Sequence, residues 1–321
     1  MMQGIVSALL NLIILWIVSP WKPKFMFSWA SFREFFHFGY KLALSGVIYR
    51  IYLEISKFVI GKCYSPMQLA LYSRADHLCQ MPTVLIQAPL DGIIYPILAT
   101  IQDDTARLDR VYRQYMRLCL CPNLWLMLTI AANAESLVYL LYGKMWVPCV
   151  HYLQVLCYGY AFVTVIRVNH HYLMVKGRTD LLLRREIILR TFGVASMLVG
   201  AYFSVIGVCI AFVVSNVLNL LLTVTYTLRV SDMTVREQIS DFYPYLLMVA
   251  AANVPSVLLA LTPLPYYVCA FAGPLTSLAI YLLLLHITKN DAYCMLLNTL
   301  VKSERWCKLC RRFPLLSKIG C

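Results

Sequence analysis

The feature that most constrains this chain is an alternation. Apolar stretches of membrane-spanning length recur along all 321 residues, and lysines and arginines gather in every second gap between them. Crossing the hydrocarbon core of a bilayer, about 30 Å thick, takes roughly 20 apolar residues in a helix. Nine candidate spans meet that requirement, near residues 4–19, 39–61, 83–101, 118–142, 149–173, 188–206, 208–228, 242–262 and 266–287. Linkers 20–38, 102–117, 174–190 and 229–241, together with the tail from 288, carry 21 of the 28 Lys and Arg residues. The alternate linkers carry only Lys62, Arg74 and Lys144. Short cytoplasmic loops retain Lys and Arg, so the pattern predicts a cytoplasmic C-terminus and an N-terminus outside. A missed or invented helix would scramble the alternation.

Composition agrees. The chain is 61% hydrophobic and 13% charged, with a mean hydropathy of +0.70. A soluble domain is about 45–50% apolar and about 25% charged. Disordered chains and disulfide-stapled secreted scaffolds are excluded, and a soluble enzyme is strongly disfavoured. The net charge of +13 would suggest nucleic acid in a soluble protein. Here the cations are sorted by side, and no nucleic-acid partner is expected. The fold class that follows is all-α, a polytopic transmembrane helical protein of about nine spans.

Cofactor and enzyme signatures do not emerge. Cys119, Cys121, Cys157, Cys209 and Cys269 sit in apolar runs, where cysteine behaves as a small hydrophobe. Cys307-Lys-Leu-Cys310 has no second pair at zinc spacing. Adjacent His170 and His171 point about 100° apart on a helix and do not form a metal site together. No Gly-rich phosphate loop, His-Glu-x-x-His or Gly-x-Ser-x-Gly is present, and the outer linkers hold few acids or histidines besides Asp76 and His77. We expect no enzyme, no metal and no cofactor.

Ionisable groups inside spans are the candidate functional residues, because each costs at least about 2.5–3.5 kcal/mol at membrane depth. Arg50, Glu54 and Lys57 follow an i, i+4, i+7 spacing and share one helix face. They form either a cationic cavity wall, with Glu54 as counter-ion or proton carrier, or an ion-pair ladder that fixes packing. Asp91 lies one turn after Gln87, with Pro89 and Pro96 nearby. It is either an ion-coupling group or a partner of Arg50 or Lys57, and pairing is the favoured reading. Arg167 stands with Asn169, His170 and His171. The histidines suit interfacial anchoring, and the guanidinium suits a phosphate. Lys41 is expected to snorkel. Segment 102–113 reads as a solvated cytoplasmic helix with Asp103–Arg107 and Asp109–Arg113 pairs, and 290–313 as a basic amphipathic helix on the inner membrane face.

A series of short motifs, in order, carries a resemblance. Ser28-Trp-Ala-Ser-Phe-Arg-Glu-Phe-Phe-His-Phe-Gly39 precedes a span ending Val59-Ile-Gly-Lys62. Leu71-Tyr-Ser-Arg-Ala75, Tyr95-Pro96, Ile101-Gln-Asp-Asp104, Leu141-Tyr-Gly-Lys-Met-Trp146, Lys176-Gly-Arg-Thr-Asp180 and Arg185-Glu-Ile187 follow. Over about residues 1–230 the chain resembles the Wzx-type (WzxC-like) polysaccharide exporters of the MOP superfamily. That resemblance implies two six-helix lobes and an added helix pair. Residues 4–19 would be the last helix of the first lobe, 20–38 a cytoplasmic linker and 39–228 the six-helix second lobe. Residues 242–287 would be the pair, and 288–321 a cytoplasmic basic tail. Most of the first lobe would be missing, as in a truncated gene, a frameshift or a misplaced start.

The implied activity is translocation of an undecaprenyl-diphosphate-linked oligosaccharide across the bacterial inner membrane for cell-surface polysaccharide or lipopolysaccharide biosynthesis. The implied partners are that lipid-linked oligosaccharide, membrane lipids and polysaccharide polymerase machinery. Arg50, Lys57, Arg167 and Arg74 would meet the substrate, Arg74 at an outer gate, and Glu54 and Asp91 would couple an ion or act as counter-ions. The alternatives are a multidrug or other lipid exporter of the same superfamily, a membrane-bound glycan enzyme, and an inactive gene fragment.

Overall fold

In the computed structural model the described residues are 2–18, 28–231, 233–260, 262 and 265–288, so the expected tail helix and Cys307–Cys310 lie outside them. The chain divides into two compact units, Met1–Tyr40 and Lys41–Cys321. In the first, α1 (Met2–Val18) contains no acid or base, and Asn11 donates to the Ser7 carbonyl at 3.0 Å. The longer α2 (Trp29–Cys63) begins in this unit, with Phe36 and Tyr40 stacked at 5.5 Å, and runs on into the second.

The second unit continues through α3 (Pro66–Thr100), α4 (Thr105–Ala132), α5 (Ala134–Tyr142), a short 3-10 turn (Lys144–Cys149), α6 (Val150–Ala161) and α7 (Val163–Val175). It closes with α8 (Thr179–Phe203), α9 (Val205–Leu228), α10 (Val235–Ala260) and α11 (Tyr266–Ile287). No strand occurs among the described residues. Among the described residues six stretches are long and apolar enough to cross a membrane: Thr105–Ala132, Lys144–Val175, Thr179–Phe203, Val205–Leu228, Val235–Leu259 and Tyr266–Ile287. The three remaining candidate spans fall in α1, α2 and α3.

Local chemistry sets the helix ends. Ser65 caps α3, accepting from the Gln68 amide at 3.3 Å while the Gln68 side chain accepts from the Ser65 amide at 3.4 Å, with Pro66 at the first helical position. Asp104 accepts from the Arg107 amide and starts α4. Gly177, at φ +68°, turns the chain out of α7, with the Arg178 amide returning to the Leu173 carbonyl. Thr234 and Glu237 cap α10 in the same reciprocal manner as Ser65 and Gln68.

The linkers are therefore shorter than hydropathy suggests, and many basic linker residues lie on helix ends. Segment 102–113 is not a separate solvated helix, because α4 runs unbroken from Thr105 into the apolar run. The expected Asp109–Arg113 pair does not form. Asp109 accepts from Tyr172 at 2.6 Å, and Arg113 turns to Asp241 and Glu237. Candidate span 118–142 is broken at Asn133, whose side chain donates to the Thr129 carbonyl at 3.0 Å.

Packing places α6 among α3, α4 and α9, pairs α8 with α9, and lays the α10–α11 pair along α4. The core is apolar, with Tyr112, Tyr172, Leu120, Leu124, Met127, Leu153 and Leu156 fully enclosed. A polar seam joins the added pair to α4. The Trp125 indole donates to Ser277, Thr129 donates to the Asn253 side-chain oxygen, and Tyr281 donates to the Cys121 carbonyl at 3.0 Å. In hydrocarbon such bonds substitute for the missing hydrophobic drive between helices.

Candidate functional site

Between α2 and the face formed by α3, α6, α8 and α9 lies a hollow of about 140 Å³. Arg50, Glu54 and Lys57 line it from α2, as their shared helix face predicts. Lys57 Nζ stands 3.6 Å from Glu54 Oε1, with both side chains well exposed, 41% and 73%. An exposed pair of this kind contributes at most about 1 kcal/mol. The charges are thus available to a solvated ligand and are not spent on a packing ladder.

Across the hollow stands a residue that hydropathy placed in an outer linker. Asp76 of α3 is only 8% exposed. It accepts from the Tyr160 hydroxyl at 2.7 Å and from Gln80 Nε2 at 3.0 Å. The clue in the sequence was an acid one helical turn before Gln80, inside a segment that Ser65-Pro66 marks as the start of a helix.

Asp91 pairs, but not with Arg50 or Lys57. Its Oδ2 accepts from Arg167 Nε and Nη2 at 3.0 and 2.7 Å, and His171 Nε2 lies 2.7 Å from Oδ1. The cluster therefore links α3 to α7, and His171 is a partner of this carboxylate where interfacial anchoring was expected. Beside it runs a second ionic chain. His170 Nδ1 is 3.2 Å from Arg185 Nη2, which donates to Glu186 Oε1 at 2.6 Å, and Arg190 Nε donates to Glu186 Oε2 at 2.9 Å. Arg185 and Glu186 are buried. The arginine was expected in a linker; besides the neighbouring Glu186, its partners His170 and Thr223 come from helices that sequence spacing does not bring together. Arg190 ends this chain over the rings of Tyr49 and Tyr52 of α2, 4.8 and 4.5 Å from their centroids.

Arg74 stands apart, exposed near the start of α3, with its guanidinium over Tyr142 and Trp146 at 5.5 and 5.3 Å. The six predicted residues thus occupy three places: the hollow, the Asp91–Arg167 cluster, and this aromatic sandwich. A larger cleft, about 380 Å³, opens between α4 and α10. Its Arg113 and Arg117 are already engaged by Asp241, which leaves the smaller hollow better suited to a charged ligand.

The chain is a multi-pass helical membrane protein with a charged hollow against its second helix. Its fold is shared with the lipid II flippase MurJ in an inward closed conformation, at a TM-score of 0.68 and 15% identity over 86% of this chain and 58% of that one. Residues 1–151 match the family described as Polysaccharide biosynthesis protein. The teichuronic acid biosynthesis protein TuaB of Bacillus subtilis (strain 168) is 24% identical over 53% of this chain and 35% of its own length. The lipopolysaccharide biosynthesis protein WzxC of Escherichia coli (strain K12) is 22% identical over 63% of this chain and 42% of its own length. The succinoglycan biosynthesis transport protein ExoT of Rhizobium meliloti (strain 1021) is 24% identical over 45% of this chain and 29% of its own. The resemblance to the Wzx-type exporters is borne out. The chain matches well under half of the length of each of these three curated relatives.

Proposed function

We propose that this chain works in the transport of a lipid-linked oligosaccharide across the bacterial inner membrane, for cell-surface polysaccharide or lipopolysaccharide biosynthesis. The observation that carries the reading is the hollow itself. Two cations, Arg50 and Lys57, face a polar wall inside an apolar bundle, which is what a diphosphate-linked glycan needs in order to be hidden from hydrocarbon. Arg50 and Lys57 bind the anionic headgroup, and Glu54 is the counter-ion that holds Lys57 in its absence. Arg167 makes a further phosphate contact, with Asp91 as its counter-ion. Arg74, clasped by Tyr142 and Trp146, belongs to the outer gate.

No covalent step is involved; the work is desolvation and carriage. On this reading residues 39–228 are one six-helix lobe, 1–19 the last helix of its counterpart, 242–287 the added pair and 288–321 a basic tail, while the cytoplasmic linker expected over 20–38 ends where α2 begins at Trp29. The C-terminus is cytoplasmic, with lipids and polysaccharide polymerase machinery as partners.

A hydrogen bond to a charged group contributes about 1.5–3 kcal/mol, so Arg50→Ala and Lys57→Ala should each lower export roughly tenfold or more. The measurement is surface glycan in a host lacking its own flippase, normalised to membrane-inserted protein. Undiminished export by both variants removes the assignment.

A further inference from the structure

The mechanism above leaves Asp76 without a role, although it is the most enclosed acid of the hollow. Among the described residues no lysine or arginine forms an ion pair with it, since Lys57, on the facing helix, pairs with Glu54. A buried carboxylate without a cation is expensive, and here two neutral donors, Tyr160 and Gln80, act in its place. Burial favours the neutral acid and hydrogen bonds to its oxygens favour the anion. A carboxyl held between opposing effects, beside a solvated hollow, is equipped to take up and give up a proton.

We propose that Asp76 is the proton-binding site of the hollow, loaded when water reaches it and emptied when Lys57 leaves Glu54 for the carboxylate. This deepens the transporter reading and rests on it for its purpose, though not for its test. The balance is simple. A proton from water joins a carboxylate oxygen to give the neutral acid, and on release the ammonium of Lys57 replaces it as the compensating charge.

The groups facing Asp76 support the assignment. From α2 come Arg50, Glu54 and Lys57, of which only Lys57 acts on the carboxyl appreciably. Tyr72, His77 and Cys79 surround it from α3, Tyr160 from α6, and Cys209 from α9. The thiols of Cys79 and Cys157 engage each other at 3.6 Å. That leaves His77, exposed, as the other titratable group on this face.

The test is a pH titration of the purified full chain in lipid nanodiscs, read by infrared difference spectroscopy of the protonated carboxyl stretch, with no glycan present. A titrating carboxyl band is expected, lost in Asp76→Asn and retained in Glu54→Gln. Tyr160→Phe removes one donor to the anion and keeps the ring, so the midpoint should rise by about one pH unit. Should Asp76→Asn fail to insert, the Tyr160→Phe shift alone decides. No band in the wild type, a band surviving Asp76→Asn, or an unmoved midpoint in Tyr160→Phe overturns the proposal. None of these bears on whether Arg50 and Lys57 carry cargo, which the export assay decides separately.

Discussion

Asp241→Ala should detach the Asp241 end of the α10–α11 pair, at a cost of about 3 kcal/mol or more. Asp241 has a side-chain exposure of 1% and neutralises two guanidinium groups. Arg113 donates Nε to Oδ2 at 2.7 Å and Nη2 to Oδ1 at 3.0 Å, and Arg117 donates Nε to Oδ1 at 2.9 Å. Removing the carboxylate leaves two cations one turn apart on one helix in a half-buried groove, with Glu237 still 3.4 Å from Arg113. Because both arginines retain some exposure to water, the lower end of the usual range for a broken buried pair applies. Thermal unfolding in nanodiscs would show the loss as a lower Tm. A paired-cysteine crosslink between α4 and α10 should form less efficiently near Arg113 but not near the Thr129–Asn253 contact. An unchanged Tm would mean that the apolar seam alone holds the pair.

Gly207→Ala carries an equally large expected effect by a different route. A Cβ on Gly207 would run into the backbone carbonyl of Gly200, and a Cβ on Gly200 into that of Gly207. A flexible side chain could give way, but a helical carbonyl cannot, so α8 and α9 must separate along their contact. Overpacking costs about 1–3 kcal/mol when side chains can adjust, and this site lies at or beyond the upper end. Gly159→Ala provides the comparison. Its Cβ would meet only the Phe212 ring edge and a Val213 methyl, which can yield, so its loss should be clearly smaller. Resistance to detergent unfolding measures both, and equal behaviour of the two variants would contradict the account.

Helices with long apolar runs were legible because hydrocarbon leaves the backbone no alternative to internal hydrogen bonding. Spans 208–228 and 266–287 match α9 and α11 closely for that reason, whereas 188–206 misses the first nine residues of α8 and runs past its end into α9. What the apolar pattern could not show was where a helix continues past its greasy part, as α3 does from Ser65 and α4 does from Asp104. Those extensions depend on caps and on charged turns that only a folded neighbour makes worthwhile. The break at Asn133 was invisible for the opposite reason. No Gly or Pro marks it, and it exists because Asn133 fits against Gly273 of α11.

At the site, the shared face of Arg50, Glu54 and Lys57 followed from helical periodicity alone. The partner of Asp91 did not, because periodicity says which face a side chain occupies and is silent on which helix stands opposite. Asp76 escaped notice through a simpler route: hydropathy averages over a window, and one acid near a helix start looks like a loop.

The hold that α8 keeps on α2 has a consequence for motion. Tyr49 and Tyr52 grip Arg190, and Tyr64, just past the end of α2, donates to the Ala201 carbonyl at 2.5 Å. Both fastenings are made to α8, one along α2 and one just past its end. A displacement of α2 must therefore carry α8 with it or break both.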